Sequence, residues 1–155
     1  MSTATSGYYW EAFEVGQRYP TMSRTITEED HLQFCKLVGY DVPLFLDEAY
    51  AKTSSYGGRI CPSHLTMSFS TAMTGRLFAG TVLGLLAVER GKFLKPVRPG
   101  DTIRTEVEVV EKKASSDASR GIVVFRDHVI NQRDEIVFQM DKITLLRRRP
   151  SSGAP

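Results

Sequence analysis

The most constraining feature of the sequence is one helix-like segment followed at once by four strand-like segments. Pro62 is suited to open the helix and Gly80 to end it, since proline favours the first helical turn and glycine the position after the last. We predict that its apolar face consists of Leu65, Phe69, Ala72, Met73 and Leu77. Its small side chains are Ser63, Thr66, Ser68, Ser70 and Thr71. A helix of this composition can pack closely against a sheet that wraps it.

The strand-like segments follow this helix and complete the predicted sheet. Residues 81–94 are apolar enough for a buried strand, and residues 102–110 alternate between apolar and polar side chains. Residues 121–130 and 135–146 are also rich in strand-forming side chains. We expect these four strands to form a meander beside a first strand at 17–26. The fold class is therefore α+β, with a sheet covering a central helix.

Local signals predict two shorter helices before the central one. Thr27 is an N-cap followed by three acidic residues, and Gly39 ends the helix that it starts. Pro43 predicts an extended connection, and Asp47 predicts the cap of a short helix at 48–53. We expect His31, on the first of these helices, to lie at the surface.

Length and composition indicate one domain and exclude several classes of function. The 155 residues divide into an N-terminal arm at 1–16, a body at 17–147 and a flexible tail at 148–155. A formal net charge of +2 gives no electrostatic reason to expect nucleic acid or an anionic membrane as a partner. We find no signal peptide, no membrane span, no nucleotide-binding glycine loop and no metal-ligand spacing, and we expect a cytoplasmic protein without a bound cofactor. Cys35 and Cys61 are expected to be free thiols.

Three collinear segments resemble the MaoC-like dehydratases, which include the (R)-specific enoyl-CoA hydratases. They are residues 40–51, with Pro43, Leu44, Asp47, Ala49 and Ala51; residues 58–63, Gly-Arg-Ile-Cys-Pro-Ser; and residues 93–101, with Phe93, Pro96, Val97, Pro99, Gly100 and Asp101. The resemblance implies a single hotdog fold, in which an antiparallel sheet wraps around a long central helix. It also implies an acyl-CoA or acyl-carrier thioester as substrate and a homodimer or higher homo-oligomer.

The chain departs from this family where the hydratases carry a catalytic Asp and His. Tyr40 stands at the Asp position and Phe45 at the His position. A phenylalanine cannot transfer protons, and a tyrosine ordinarily titrates near pH 10. We therefore expect a non-standard site in which Asp41 or His64 takes over the proton transfer. Ser63 stands where the family has the glycine whose N–H polarises the thioester carbonyl.

These expectations give a candidate site without a metal ion. The predicted catalytic residues are Tyr40, Asp41 and His64, and the predicted substrate-binding residues are Phe45, Gly58, Cys61, Pro62 and Ser63. For His64 the alternative is a structural histidine at a helix start, and for Asp41 it is a cap or an ion pair. We expect His128 to be exposed on a strand.

Three functions remain open from the sequence. The first is a hydratase or dehydratase acting on an enoyl thioester. The second is a hotdog subunit that binds an acyl thioester without reacting it, because both standard catalytic positions are replaced. The third is a thioesterase, for which Asp41 or Asp47 would direct water at the carbonyl carbon.

Overall fold

The computed structural model describes residues 7–150, which form four α-helices and six β-strands. The helices are α1 (Glu28–Val38), α2 (Pro43–Leu46), α3 (Glu48–Lys52) and α4 (Ser63–Met73). The strands are β1 (Arg18–Pro20), β2 (Arg24–Thr25), β3 (Val82–Phe93), β4 (Thr102–Ala114), β5 (Arg120–Asn131) and β6 (Ile136–Arg147). Single 3₁₀ turns occur at Trp10–Ala12 and Thr74–Leu77. Within the described part of the chain, no helix is long and apolar enough to cross a membrane.

One antiparallel sheet has the strand order β1-β4-β5-β6-β3, and β2 also pairs with β4. The predicted meander is therefore wrong in one respect, because β3 pairs with β6 at the far side rather than with β4, its successor in sequence. The predicted first strand is divided into β1 and β2. Pro20, at the end of β1, has no N–H to donate to a continuing ladder.

The predicted helix caps are confirmed. The Asp30 amide donates to Thr27 Oγ1 and the Thr27 amide donates to Asp30 Oδ2, each over 3.0 Å, and Gly39 ends α1 with φ of 76°. The Tyr50 amide donates to Asp47 Oδ1 over 3.0 Å at the start of α3. The expected extended connection at Pro43 is wrong. This proline instead opens the short helix α2, because the first helical position needs no N–H.

Helix α4 lies against the sheet through a face that includes most of the predicted one, since Leu65 is buried and Phe69, Met73 and Leu77 pack against the core, and that also includes small hydroxyl side chains. Its buried residues are Leu65, Thr66 and Ser70, and Thr74 is buried just beyond its end, whereas Ala72 is exposed. The Thr105 hydroxyl of β4 donates to the Ser70 carbonyl over 3.3 Å. The small hydroxyl side chains face the sheet because they allow this close approach and can satisfy their own polar atoms locally.

Two apolar clusters fill the space between helix and sheet. The first includes Ile26, Cys61, Leu65, Val97, Ile103, Val129, Phe138 and Met140. The second includes Phe13, Phe78, Val107, Val123, Phe125 and Leu146. Phe13 belongs to the expected N-terminal arm and is fully buried, with its ring 5.0 Å from that of Phe125. Residues 1–6 of that arm and residues 151–155 of the expected tail lie outside the described residues.

Strand β3 is an exposed edge, which corrects the expectation that residues 81–94 form a buried strand. Its large apolar side chains are each at least 38% exposed: Val82, Leu83, Leu85, Leu86, Val88 and Phe93. Among residues 7–150 of one chain, only β6 pairs with β3. A long apolar edge strand of this kind is a template for pairing with another chain.

Candidate active site

The N-terminus of α4 presents free backbone donors beside a cavity. Pro62 precedes the helix without a side-chain cap, and the Ser63 and His64 amides donate to no acceptor among the described residues. The first N–H groups of a helix carry partial positive charge and attract developing negative charge. This end of α4 can therefore polarise a carbonyl oxygen.

A cavity of about 160 Å³ opens beside this helix end. Among the predicted site residues, Ser63 and Cys61 line it. The remaining lining residues are Tyr56, Ile60, Thr66, Phe93, Leu94, Lys95, Pro96, Val97 and Val137. The segment at 93–97 lines the cavity, although the site predicted from the sequence does not include it and its motif only carries part of the family resemblance. The Cys61 amide donates to the Val97 carbonyl over 2.7 Å and joins this segment to the entry of α4.

Tyr40 and His64 are brought together although 24 positions separate them. The Tyr40 hydroxyl lies 3.2 Å from His64 Nδ1. The left-handed turn at Gly39 and a hydrogen bond from the Tyr40 amide to the Cys35 carbonyl, 2.9 Å, orient the tyrosine at the end of α1. Its ring meets the Phe45 ring edge to face with centroids 5.5 Å apart. Of the three predicted catalytic residues, two are therefore in direct contact.

The other two histidines have structural partners. His31 is fully buried and its Nε2 lies 2.7 Å from the Phe45 carbonyl oxygen, so the expected surface position is wrong. It shares a face of α1 with Cys35, four positions later, and both side chains are turned toward the interior. His128 is half-buried rather than exposed, with Nε2 3.0 Å from Glu108 Oε2.

The two carboxylates proposed from the sequence form no hydrogen bond or ion pair with Tyr40 or His64 in the described part of the chain. Asp41 is exposed and makes no side-chain hydrogen bond or ion pair with any described residue. Asp47 caps α3. Because the Asp47 carboxylate already accepts the cap hydrogen bond of α3, Asp41 is the carboxylate of this segment without a hydrogen-bond partner among the described residues.

Gly58 and Pro62 shape the approach to α4 without lining the cavity. Both are buried, and a Cβ on Gly58 would lie 3.1 Å from Arg98 Nη1 and 3.2 Å from Glu48 Oε1. Arg59, the next residue, reaches Glu28 Oε1 over 2.7 Å and Glu48 Oε2 over 3.3 Å. The hydrogen bond from Arg59 keeps the pKa of Glu28 below its usual range. This arginine joins α1 and α3 to the turn before α4.

Cys61 is not available as a nucleophile. Burial raises the pKa of its thiol to about 12, so the thiolate is scarce at neutral pH. Among residues 7–150, no group of three or more His, Cys, Asp or Glu side chains is arranged to hold a metal ion. The groups found together at the N-terminus of α4 include the His64 imidazole, the Tyr40 phenol and free backbone amides.

Comparison with known proteins places these residues in a recognised sequence family. The family model described as "MaoC like domain" matches residues 12–129. β-Methylmalyl-CoA dehydratase of Chloroflexus aurantiacus is 28% identical over 158 residues, which cover 100% of this chain and 45% of that protein. (R)-Specific enoyl-CoA hydratase of Rhodospirillum rubrum is 33% identical over 103 residues, covering 66% of this chain and 69% of that one. The chain spans less than half the length of the first curated relatives that it matches.

The fold has a counterpart among solved structures. A conserved hypothetical protein from Mycobacterium tuberculosis, described as having a double hotdog fold, superposes with a TM-score of 0.86 at 20% identity. The match covers 96% of this chain and 47% of that one. The chain therefore has the hotdog fold, and its length corresponds to about half of the double unit.

Proposed function

Because the chain belongs to the family of MaoC-like domains, we propose that it is an enoyl-thioester hydratase or dehydratase. It would add water to the double bond of an enoyl-CoA, or remove water from the corresponding 3-hydroxyacyl-CoA. Relatives named as acyl-CoA hydratases and dehydratases support this class of reaction. The observation that carries the proposal is the contact of Tyr40 with His64 at the amide-bearing end of α4.

His64 is the group that we assign to proton transfer. If Nδ1 carries the proton and donates it to the Tyr40 oxygen, Nε2 keeps a free lone pair and can accept a proton from water. The hydroxide so formed attacks the β-carbon of the enoyl group. The imidazolium then returns the proton to the α-carbon, which leaves the 3-hydroxyacyl thioester and neutral imidazole. In this tautomer Tyr40 accepts the hydrogen bond from Nδ1, and Nε2 is the nitrogen that takes the proton.

The amide end of α4 supports the negative charge that arises in this reaction. Attack at the β-carbon pushes electrons onto the thioester oxygen, and the Ser63 N–H would donate a hydrogen bond to that oxygen. A backbone N–H can donate this hydrogen bond whatever side chain its residue carries. Ser63 can therefore replace the glycine that the MaoC-like dehydratases have at this position. Phe45 packs edge to face on Tyr40 and would narrow the space for the acyl group.

A second copy of the chain would complete the site. The cavity of about 160 Å³ is smaller than the ~300 Å³ at the lower end of small-molecule pockets, so one chain encloses little of a thioester. The exposed edge β3 offers the pairing surface, and the match to half of a double hotdog chain supports a second unit beside the first. We expect a homodimer by light scattering. Leu86→Lys, on the exposed edge, should weaken it, while Leu37→Lys, on the exposed surface of α1, should leave it intact.

The assay separates this function from the other two. Crotonyl-CoA and branched or dicarboxylic enoyl-CoA esters are incubated with the protein, and conjugated absorbance and free thiol are followed independently. Loss of conjugation without thiol release supports the hydratase, and thiol release supports a thioesterase. Saturable binding without turnover across the panel supports the non-catalytic binding subunit. The sequence observation in favour of that alternative is the replacement of both standard catalytic positions by Tyr40 and Phe45.

Asp41 provides a further discrimination between hydratase and thioesterase. Its carboxylate forms no hydrogen bond or ion pair with any described residue, so Asp41→Asn should leave the hydratase turnover at the parental level. A thioesterase that uses this carboxylate to direct water would lose thiol release in the same variant. Loss of hydration in Asp41→Asn would contradict the assignment of proton transfer to His64.

A further inference from the structure

A fully buried histidine, His31, binds the main chain of a segment that reaches the proposed site. Its Nε2 lies 2.7 Å from the Phe45 carbonyl oxygen, and its Nδ1 is buried without a hydrogen-bond partner among the described residues. Burial of a polar atom costs free energy unless the atom is hydrogen-bonded, and this imidazole satisfies one of its two nitrogens. An apolar side chain of similar size would avoid that cost. The histidine therefore needs an explanation other than packing.

The contact defines which nitrogen of His31 carries the proton. A carbonyl oxygen can only accept, so Nε2 is protonated and donates. The nearest acidic residues on α1 are engaged elsewhere, since Glu28 Oε1 binds Arg59 over 2.7 Å and Asp30 Oδ2 accepts from the Thr27 amide over 3.0 Å. A proton on Nδ1 would thus find no acceptor in the described part of the chain. His31 is a donor directed at one main-chain carbonyl.

That carbonyl belongs to a helix that cannot hold its own position. Helix α2 has four residues and ends at Leu46, so the carbonyls of its last turn lack donors within the helix. Helices much longer than this are still marginal on their own in water. No side chain caps α2 at Val42, and none of its residues is buried. The position of α2 therefore depends on its contacts with other elements, and His31 supplies a buried one from α1.

Two aromatic contacts connect this hydrogen bond with the proposed site. The Tyr40 ring meets the Phe45 ring edge to face, with centroids 5.5 Å apart, and stacks with the Phe34 ring at 6.5 Å. Phe34 is three positions after His31 on α1. The Tyr40 ring therefore contacts one ring from each of the two helices that His31 joins, and its hydroxyl lies 3.2 Å from His64 Nδ1. A shift of α2 relative to α1 would change the orientation of that hydroxyl.

We propose that His31 is a positioning residue: by binding the Phe45 carbonyl to α1, it fixes the orientation of Tyr40 and, through Tyr40, that of His64. This inference rests on the proposed function. His31 forms no hydrogen bond with Tyr40 or His64 themselves, so it acts through geometry. A misplacement of about 1 Å at the reacting groups can cost about 100-fold in rate. His31 does not belong to the lining of the cavity beside α4, so its effect falls on kcat rather than on KM.

Three substitutions separate positioning from packing. His31→Leu fills the space without a donor, and His31→Gln keeps an N–H that can reach the carbonyl. Cys35→Ala is the matched control, because it truncates the other buried side chain of α1 and leaves the hydrogen bond in place. We expect His31→Leu to lower kcat for crotonyl-CoA by about tenfold at an unchanged KM. His31→Gln should restore most of this loss, and Cys35→Ala should keep the parental kcat.

A double-mutant cycle tests the route through Tyr40. Once Tyr40→Phe has removed the hydroxyl, His31→Leu has no hydroxyl left to orient, so the double variant should be no slower than Tyr40→Phe alone. Additive losses overturn this route. An unchanged kcat in His31→Leu also overturns the proposal, as do equal losses in His31→Leu and His31→Gln or in His31→Leu and Cys35→Ala. If His31→Leu does not fold, His31→Met is the second variant without a donor.

Nitrogen NMR of the histidine side chains provides a measurement that needs no turnover. The His64 Nδ1 resonance should move in Tyr40→Phe and move in the same direction in His31→Leu, but not in Cys35→Ala. If the parent protein shows no turnover, the proposed function fails and this resonance decides. Its movement in His31→Leu then supports the positioning role, and an unchanged resonance rejects it. A parent spectrum in which Nε2 of His31 is unprotonated overturns the proposal whatever the variants show.

Discussion

The Tyr40 hydroxyl lies 3.2 Å from Nδ1 of His64 and joins the end of α1 to the first turn of α4. The two residues reach each other from different segments, one ending a helix and the other beginning one. A phenol in this position can hold one imidazole nitrogen and leave the other free to face a substrate. The family resemblance predicts a catalytic Asp and His at positions 40 and 45, where this chain has Tyr40 and Phe45. The Tyr40–His64 pair offers an imidazole for proton transfer in their place.

We predict that His64→Ala lowers kcat for crotonyl-CoA by about 100-fold or more, since a general base contributes on the order of 10²–10⁴-fold. Tyr40→Phe removes only the group that orients the imidazole and should have a smaller effect, on the order of tenfold. It should also move the pH–rate profile, which a purely structural change would not do. The measurement is the initial rate of loss of conjugated absorbance across the pH range.

His128→Ala is the matched control for this prediction, because it removes a histidine that pairs with Glu108 and lies away from the α4 N-terminus. Its kcat should equal that of the parent. If His64→Ala and His128→Ala lose activity to the same extent, His64 is a structural histidine and the assignment of proton transfer is wrong.

The thiol of Cys61 should be inert in the folded protein. Burial raises its pKa to about 12, and the Cys35 thiol is also buried with a raised pKa. We expect neither cysteine to react with a disulfide reagent at pH 8 until a denaturant is added, when two thiols per chain become reactive. Rapid modification of Cys61 in the native state would show that the cavity opens to solvent.

A buried ion pair at the end of the central helix should be important for stability. Lys142 Nζ lies 2.7 Å from Asp127 Oδ2 and 3.1 Å from Thr74 Oγ1, and both charged side chains are almost fully buried. Burial raises the pKa of Asp127 while Lys142 opposes this rise, so Lys142→Met leaves a buried carboxyl that must stay charged without a partner or take up a proton, and it should lower the free energy of unfolding by ~3 kcal/mol. Urea titration followed by circular dichroism measures this change.

The double variant Asp127→Leu/Lys142→Met tests the cause of that loss. Because it removes both charges, it should be more stable than Lys142→Met alone, and the difference measures the cost of the orphaned carboxylate. If the double variant is the less stable of the two, packing around Lys142 rather than its charge explains the effect.

Glu135 should contribute to stability in a defined acid range. Hydrogen bonds from Asn131, Lys95 and Arg133 lower its pKa from 4.5 to about 2. The folded state therefore binds this proton less tightly than the unfolded state, so its contribution is present above pH 4.5 and is lost as the pH falls toward 2. Glu135→Gln should flatten the dependence of stability on pH in this range. Glu89→Gln, an exposed carboxylate without an ion pair in the described structure, is the control and should keep the parental curve.

The structural features that depend on only a few neighbouring residues are predicted correctly from the sequence. Thr27 caps α1, Gly39 ends it and Asp47 caps α3, because each of these interactions closes within about one helical turn. The alternation in β4 likewise predicted its buried side, which carries Ile103 and Val107. The prediction at Pro43 is wrong because proline both disfavours a helix before it and favours one after it. Local sequence alone did not decide which effect prevails.

The sequence alone determined the helix caps, the strand-forming segments and the family resemblance that implied the hotdog fold. Only the tertiary structure decided the strand order, the burial of His31 and the contact of Tyr40 with His64. The physical reason is the range of the interactions. Caps and alternation depend on neighbours in sequence, whereas β3 pairs with β6 across more than 40 residues and Tyr40 meets His64, 24 positions later, only through the tertiary fold.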